Sequence, residues 1–332
     1  MNHNIIERNE RLQKVADALP SLPADTLIVN DYTNALEHLV GVRWNIYTSG
    51  KILGRPTPPP VEGEYAAAVV RLSTNKEQLR MLLSLLNSVL KESAPIWIVG
   101  ANDEGIKSFP KTSKDYVDDV ETLDIRQRAR LLQGVKGHQQ STLEDWIAVQ
   151  SIELDGKQVE WQTLVGVFNK GQLDAGTDYL LSVLAEYPIK RTFQLADFAC
   201  GTGVIARWLA DRFPDAQIDA MDADSWAIEL AKRNAPTVKH RLVDGWTGMP
   251  RDCRYDLVIS NPPVHIGKES DYTVLRGLIR DAKTRLHYRG QILMVTLHHI
   301  PVQRLAEEAE YRIVEVVAHN NRYKVWRLAN HN

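Results

Sequence analysis

Asp197-Phe198-Ala199-Cys200-Gly201-Thr202-Gly203 lies between an apolar run, Gln194 to Ala199, and an amphipathic stretch from Val204 to Phe213. That order reads as a strand that breaks into a tight glycine turn and opens a helix. Glycines at such a turn let the backbone approach a ligand closely, and the strand end lies at the ligand-binding edge of an open α/β sheet. Asp222 follows Gly203 by 19 residues and closes the next apolar run, Gln217 to Met221. This is the spacing at which a carboxylate meets the two hydroxyls of a ribose. The three-glycine dinucleotide pattern is incomplete, because Ala199 holds the first glycine position and Ile205 and Ala206 follow the turn. A nicotinamide dinucleotide is therefore disfavoured relative to another adenosine compound.

Working outward, a helix runs from Asp222 to about Asn234, with strands at His240–Val243 and Asp256–Ser260. A long helix from about Asp271 to Leu286 precedes the strand Gly290–Leu297. Tyr311–Ala318 and Arg322–Leu328 are expected to pair antiparallel at the sheet edge. The first half repeats the theme. Residues 5–19 read as a helix, Thr26–Val29 and Ala66–Leu72 as strands, and Thr57-Pro58-Pro59-Pro60 as a loop. A helix capped by Asn75 runs to Leu90, and Ile96–Gly100 is a further strand. Strand, helix, strand in that order implies a parallel sheet. Polar residues from Gly134 to Thr142 mark a linker, giving domains 1–140 and 141–332.

Ala66–Leu72, the following helix and Ile96–Val99 mirror Asp256–Ser260, Asp271–Leu286 and Gly290–Leu297. Ser73-Thr74-Asn75 stands where the second half has Ser260-Asn261-Pro262-Pro263, and no Gly-x-Gly turn follows the early strand. The fold class expected is α/β, with two tandem Rossmann-like domains from a duplication, the N-terminal one lacking the ligand-binding turn. Two unrelated α/β domains are the alternative.

Composition narrows the class. The chain has 332 residues, 44% hydrophobic and 25% charged, the mix of a soluble globular protein of about two domains. It has no apolar run of about 18 residues to span a bilayer, and Met1 to Glu10 is too polar for a signal peptide. Cys200 and Cys253 are too few for a disulfide scaffold, so a cytoplasmic location, with no membrane, is expected. Lys and Arg total 40 against 42 Asp and Glu, which leaves nucleic-acid binding open without advertising it. Arg276, Arg280, Lys283, Arg285 and Arg289 crowd the late helix and its exit; a solvated face is the default reading and RNA phosphate contact the alternative. His298 and His299, if on a strand, would face opposite sides, and no third ligand lies at suitable spacing, so no metal is expected.

Ser260-Asn261-Pro262-Pro263 follows the strand residues Leu257-Val258-Ile259. A rigid Pro-Pro turn lets the Pro262 carbonyl and the Asn261 amide oxygen aim at one place. Two acceptors so placed hold both hydrogens of a planar amino group and direct its lone pair at an electrophile. That is catalysis by positioning and electrostatics, with no covalent intermediate.

Together these motifs resemble the Asn-Pro-Pro, amino-methylating S-adenosylmethionine-dependent methyltransferases, and the chain most resembles the RsmC-type 16S ribosomal RNA guanine-N2 methyltransferases. The resemblance runs through Gly166-Val167-Phe168, Leu173-Asp174-Ala175-Gly176-Thr177, the glycine turn, Asn261-Pro262-Pro263-Val264-His265-Ile266-Gly267 and Tyr323-Lys324-Val325-Trp326-Arg327. In the first half it includes Asn75-Lys76 and Ile98 to Gly105. It implies S-adenosyl-L-methionine as cofactor, held by Asp197, Ala199, Gly201 and Gly203, with Asp222 on its ribose. It also implies Asp244 near the adenine and Gly176 and Thr177 closing the pocket; Asp244 reads equally well as a turn or cap residue. Asn261 and Pro262 would be catalytic. The family usually has an aromatic residue where this chain has Val264, forfeiting a stacking contribution of about 1–3 kcal/mol. Pro263, Val264, His265 and Phe168 are the substrate-side candidates. The implied partner is 16S rRNA in the small ribosomal subunit, met by a monomer whose N-terminal domain docks RNA or braces the catalytic one. Two alternatives stand beside this reading: a 23S rRNA guanine-N2 methyltransferase, and a non-catalytic ribosome-assembly protein with a vestigial cofactor site.

Overall fold

Buried four- to seven-residue runs rich in Val, Ile and Ala set the strands, and helices with one apolar face cover them. The computed structural model describes residues 3–46, 62–167, 173–189, 194–266, 269–270 and 272–331. It divides into two compact units, Met1–Ile147 and Ala148–Asn332.

The first unit contains α1 (His3–Ala16), β1 (Thr26–Val29), β2 (Val42–Trp44), β3 (Ala67–Arg71), α2 (Lys76–Val89), β4 (Pro95–Ala101), α3 (Phe109–Thr112), β5 (Val117–Arg126) and β6 (Ala129–Lys136). Its sheet runs β2-β1-β3-β4-β6-β5. The first four strands are parallel, as expected, but β6 is antiparallel to β4 and β5 to β6. Asn75 caps α2 by accepting from the amides of Glu77 and Gln78. The linker expected from Gly134 is displaced, since Gly134 belongs to β6 and pairs with Ile96. A Cβ at Gly134 would meet the Asp118 carbonyl at 2.6 Å, so this glycine serves a close strand approach and not a flexible joint. Beyond β6, the Trp146 indole donates to Ser141 (2.7 Å) and to Ser84 on α2 (3.1 Å), which ties this segment to the first unit. The proline-rich stretch Thr57–Pro60 lies outside the described residues.

The second unit opens with a hairpin of β7 (Ile147–Leu154) and β8 (Lys157–Leu164). There follow α4 (Ala175–Glu186), β9 (Gln194–Phe198), α5 (Val204–Arg212), β10 (Gln217–Asp222), α6 (Ser225–Asn234), β11 (Lys239–Leu242) and β12 (Tyr255–Ser260). A short ribbon of β13 (His265–Ile266) and β14 (Glu269–Ser270) leads to α7 (Thr273–Ala282), β15 (Leu286–Leu297), α8 (Val302–Glu308), β16 (Ile313–His319) and β17 (Tyr323–Ala329). The main sheet runs β11-β10-β9-β12-β15-β17-β16, parallel through β15 and antiparallel beyond. The expected antiparallel pair is present, with β17 inserted between β15 and β16. The long helix ends at Ala282, where a 3-10 turn over Lys283–Arg285 takes over.

The two sheets share one topology. Matching β1, β2, β3, β4, β6 and β5 to β9, β10, β12, β15, β17 and β16 reproduces the same order, and among the described residues β11 has no counterpart in the first. β1 and β9 each end on a non-glycine residue in the left-handed region, Asn30 (φ 62°) and Ala199 (φ 58°). Val29 pairs with Val70, and Phe198 pairs with Ser260. The register therefore places Arg71, and not Ser73 to Asn75, at the position of Asn261.

Arg71 fills the edge that the second unit keeps for its loops. Its side chain is 0% exposed and ion-pairs with Glu104, which is 2% exposed. Its guanidinium also donates to the Leu72 carbonyl (3.1 Å) and lies 5.5 Å from the Tyr32 ring centroid. Glu104 in turn accepts from the Ala101 amide (3.0 Å). Removing one partner of such a pair strands the other charge. Arg71→Met is expected to cost about 3–5 kcal/mol in urea denaturation followed through Trp44 and Trp97, and adding Glu104→Gln should restore much of that loss.

Candidate active site

The glycine turn is held from both sides. Within the sheet edge, the Cys200 amide donates to the Met221 carbonyl (3.0 Å) and the Gly203 amide to the Cys200 carbonyl (2.9 Å). Ala199, Gly201 and Gly203 take φ of 58°, 53° and 91°, which reverses the chain directly into α5. A Cβ on Gly203 would lie 3.2 Å from Ala231 on α6, so close helix packing adds to the demand for glycine. From outside, the Trp161 indole on β8 donates to the Thr202 hydroxyl (3.2 Å). The buried Asn234 carboxamide donates to the carbonyls of Thr202 (3.0 Å) and Gln162 (2.9 Å).

Three carboxylates line this edge. Asp222 accepts from the Gly201 amide through one oxygen and from the Asp224 amide through the other, each at 2.9 Å. Asp224 caps α6 through the amides of Trp226 and Ala227. Asp197 is fully buried; one oxygen accepts from the Ala206 amide (2.9 Å), while the other is buried without a partner. Burial pushes the Asp197 carboxyl up to about 8, with the neighbouring charge of Asp222 adding to it. Burial and Asp222 likewise push Asp224 up to about 7, and burial raises Asp222. Among the described residues no ion pair joins a Lys or Arg to any of the three, so burial is opposed only by backbone amides and favours the protonated forms.

Asn261 follows β12 beside this turn. Ser260 ties β12 to β9 by donating to the Phe198 carbonyl (2.7 Å). The Asn261 amide nitrogen donates to Asp174 (2.7 Å) and to the Thr177 hydroxyl (3.0 Å). Asp174 caps α4 by accepting from the Thr177 amide (2.9 Å). A Cβ on Gly176 would sit 2.9 Å from the Asp174 carboxylate and 3.3 Å from Tyr323, so only glycine leaves room for this junction.

The structure thus gathers Asp197, Ala199, Gly201, Gly203, Asp222, Thr177 and Asn261 at one sheet edge. Asp244 is exposed in a turn closed by the Thr247 amide, next to Val243, whose amide donates to the Asp222 carbonyl (2.9 Å). Pro262 is buried and Pro263 exposed. Val264 packs on the core around Phe198 and Trp246. His265 pairs with Ser270 in the β13–β14 ribbon, and Phe168 and Gly267 lie outside the described residues. Sequence reading missed Asp174 as a partner of Asn261, although its place three residues before Thr177 is a helix-cap signal. It also missed Trp161 and Asn234, whose bonds to the turn carry no local signature. A cavity of about 590 Å³ between the β7–β8 hairpin, α4 and Trp208 contains none of the gathered residues. On the late helix the cations meet acids: Arg276 pairs with Glu308, Arg280 with Asp281 and Lys283 with Glu310. His298 and His299 are both exposed, and His298 contacts the Tyr323 carbonyl. Among the described residues, no group of three or more His, Cys, Asp or Glu is arranged to hold a metal, and no helix is long and apolar enough to cross a membrane.

The family model for the methyltransferase small domain matches residues 158–327, and that for the methyltransferase small domain N-terminal region matches 53–149. Ribosomal RNA small subunit methyltransferase C of Alteromonas mediterranea is 27% identical over 316 residues, covering 93% of this chain and 83% of that protein. Its namesake from Shewanella sediminis is 30% identical over 273 residues, covering 80% of this chain and 78% of its own. The solved structure of a T. thermophilus 16S rRNA N2 methyltransferase (RsmC), in complex with AdoMet and guanosine, aligns with TM-score 0.81 at 16% identity. The alignment covers 98% of this chain and 92% of that one, a likeness of fold.

The raised Asp197 carboxyl has a consequence for stability. Below about pH 4 folded and unfolded chains both hold its proton, and above about pH 8 neither does. Between them the folded state binds a proton that the unfolded chain has released, so this group's contribution to stability falls as pH rises from about 4 to about 8. Asp197→Asn, isosteric with the protonated acid, should flatten that slope. Urea denaturation should find the variant more stable than the unaltered protein at about pH 9 and little changed at about pH 4.

Proposed function

The chain belongs to the methyltransferase small domain family, and from that premise we propose that it transfers methyl from S-adenosylmethionine to the exocyclic N2 amine of a guanine in 16S rRNA. The observation that carries this reading is one sheet edge holding both a ribose-type carboxylate, Asp222, and an Asn-Pro-Pro turn whose Asn261 amide donors are already used. The relatives of similar length, named as small-subunit rRNA methyltransferases, support the same substrate.

The residues present fit the cofactor. Asp222 keeps lone pairs for two ribose hydroxyls beyond its backbone bonds. The space where a Gly201 side chain would stand is open to 4 Å, so a ligand can lie against that backbone. Asp197, with its unpartnered buried oxygen, and the carboxylates beside it suit a cation. Asp244 would serve the adenine, and Ala199 and Gly203 the shape of the turn. S-adenosylmethionine, when bound, supplies an electrophilic methyl on a sulfonium.

The chain's own work is to hold the amine. Asn261 Oδ1 and the Pro262 carbonyl accept its two hydrogens, which turns the nitrogen lone pair out of conjugation and toward the electrophile. A guanine can reach them only when unstacked or single-stranded. Pro263, Val264, His265 and Phe168 are assigned to the base side, where Val264 offers an aliphatic contact and no stacking face. The unit Ala148–Asn332 forms the catalytic domain in this reading, and the first unit docks RNA or braces it. The enzyme works as a cytoplasmic monomer without a metal.

Transfer of labelled methyl to purified, unmodified small and large ribosomal subunits, with nucleoside analysis, tests the proposal. N2-methylguanosine from the small subunit alone is expected, and label from the large subunit alone would sink it. Asp222→Ala should abolish cofactor binding in calorimetry. Asn261→Ala should leave binding intact and slow turnover about a hundredfold or more.

A further inference from the structure

A carboxamide has two ends of similar shape and opposite polarity, and only its oxygen can accept from an amine. If the Asn261 side chain turned over, it would present two more donors to a donor and the site would fail. Something must therefore choose the end, and the choice is made 87 residues away in the chain.

We infer that Asp174 is the positioning residue that fixes Asn261 with its oxygen toward the target amine. This rests on the methylation reading above and deepens it. Both hydrogens of Asn261 Nδ2 are consumed, one by Asp174 Oδ2 at 2.7 Å and one by Thr177 Oγ1 at 3.0 Å. Reversal would bring Asn261 Oδ1 to the same distance from a carboxylate oxygen, two acceptors with no proton between them. The carboxylate cannot swing away to allow it, because the same Oδ2 caps α4 through the Thr177 amide at 2.9 Å. Helix α4 is itself fixed by Leu180 and Leu184, both 0% exposed. A negatively charged acceptor on Nδ2 also draws electron density toward Oδ1 and strengthens it as an acceptor. The Thr177 hydroxyl accepts from Asn261, beside the role in closing the cofactor pocket that the resemblance implies for this residue.

Asp174→Ser separates positioning from capping. Serine caps helices as well as aspartate does, but its hydroxyl is too short to keep the bond to Asn261. Asp174→Asn retains an oxygen that can serve both the cap and Asn261 while losing the charge. In the ligand-free protein labelled with ¹⁵N-asparagine, the Asn261 carboxamide is identified by its loss in Asn261→Ala. Its protons should exchange slowly in the unaltered protein and rapidly in Asp174→Ser. In single-turnover methyl transfer to small subunits, Asp174→Ser should fall at least about tenfold, with S-adenosylmethionine affinity and melting temperature held. Asp174→Asn should recover most of that loss.

Unchanged transfer by Asp174→Ser would overturn the assignment, as would a rate loss matched by equal losses of cofactor affinity or melting temperature. Those results would leave Asp174 a helix cap alone. The exchange measurement needs no substrate: a protected carboxamide in a protein that methylates neither subunit upholds the orientation and overturns the methylation reading.

Discussion

The bond from the Gly201 amide to Asp222, 2.9 Å long, ties the glycine turn after β9 to the end of its parallel neighbour β10. Much of the site follows from it. It requires the left-handed conformations at Ala199 and Gly201, which deliver the chain into α5, and it aims Asp222 along the sheet edge. The second oxygen of Asp222 holds the Asp224 amide, and Asp224 then starts α6. One side chain thus organises the loops after both β9 and β10. Keeping a carboxylate there, beside two others and without a paired cation, works against folding. The compensation comes from backbone amides, which satisfy the charge only in part and leave it available to a ligand.

The same topology in the first unit shows the opposite solution. There the corresponding edge holds a buried arginine at the position of Asn261, neutralised by Glu104 and anchored to backbone. An ion pair of that kind fills volume and satisfies charge internally, which leaves no acceptor for an incoming group. A pair of copies can diverge in this way through few residues, because parallel strands bring the same chain positions to the same edge whatever their side chains are.

The strands β1, β3, β4, β9 and β12, and the second half of β15, were legible because each is a largely apolar run bounded by turn residues, the pattern of a strand buried on both faces, whereas β10 and the polar β11 were placed by their positions after the glycine turn and α6. The hairpins β5–β6 and β7–β8 were not. β5 carries Asp118, Asp119, Glu121 and Asp124 with one side to solvent, so its alternation is weak and its composition resembles a loop. Gly134 misled for a related reason, since a glycine that permits close packing and one that permits flexibility look alike in a sequence. At the site, Asp197, Gly201, Gly203, Asp222 and Asn261 announced themselves by spacing within strand–turn–helix units. Asp174, Trp161 and Asn234 act through bonds to residues 32 to 87 positions away. No local periodicity encodes such a distance.

β17 comes after every other strand of its sheet in the chain, yet it lies inside the sheet between β15 and β16. During synthesis, β15 must therefore wait with one edge unpaired until residues 323–329 have cleared the exit tunnel. A nascent chain arrested before that point exposes a central strand, the edge most prone to pair with a neighbour. Tyr323, at the start of this strand, also packs over Gly176 near Asn261. Closure of the sheet and completion of the site are thus the same late event in the life of the polypeptide.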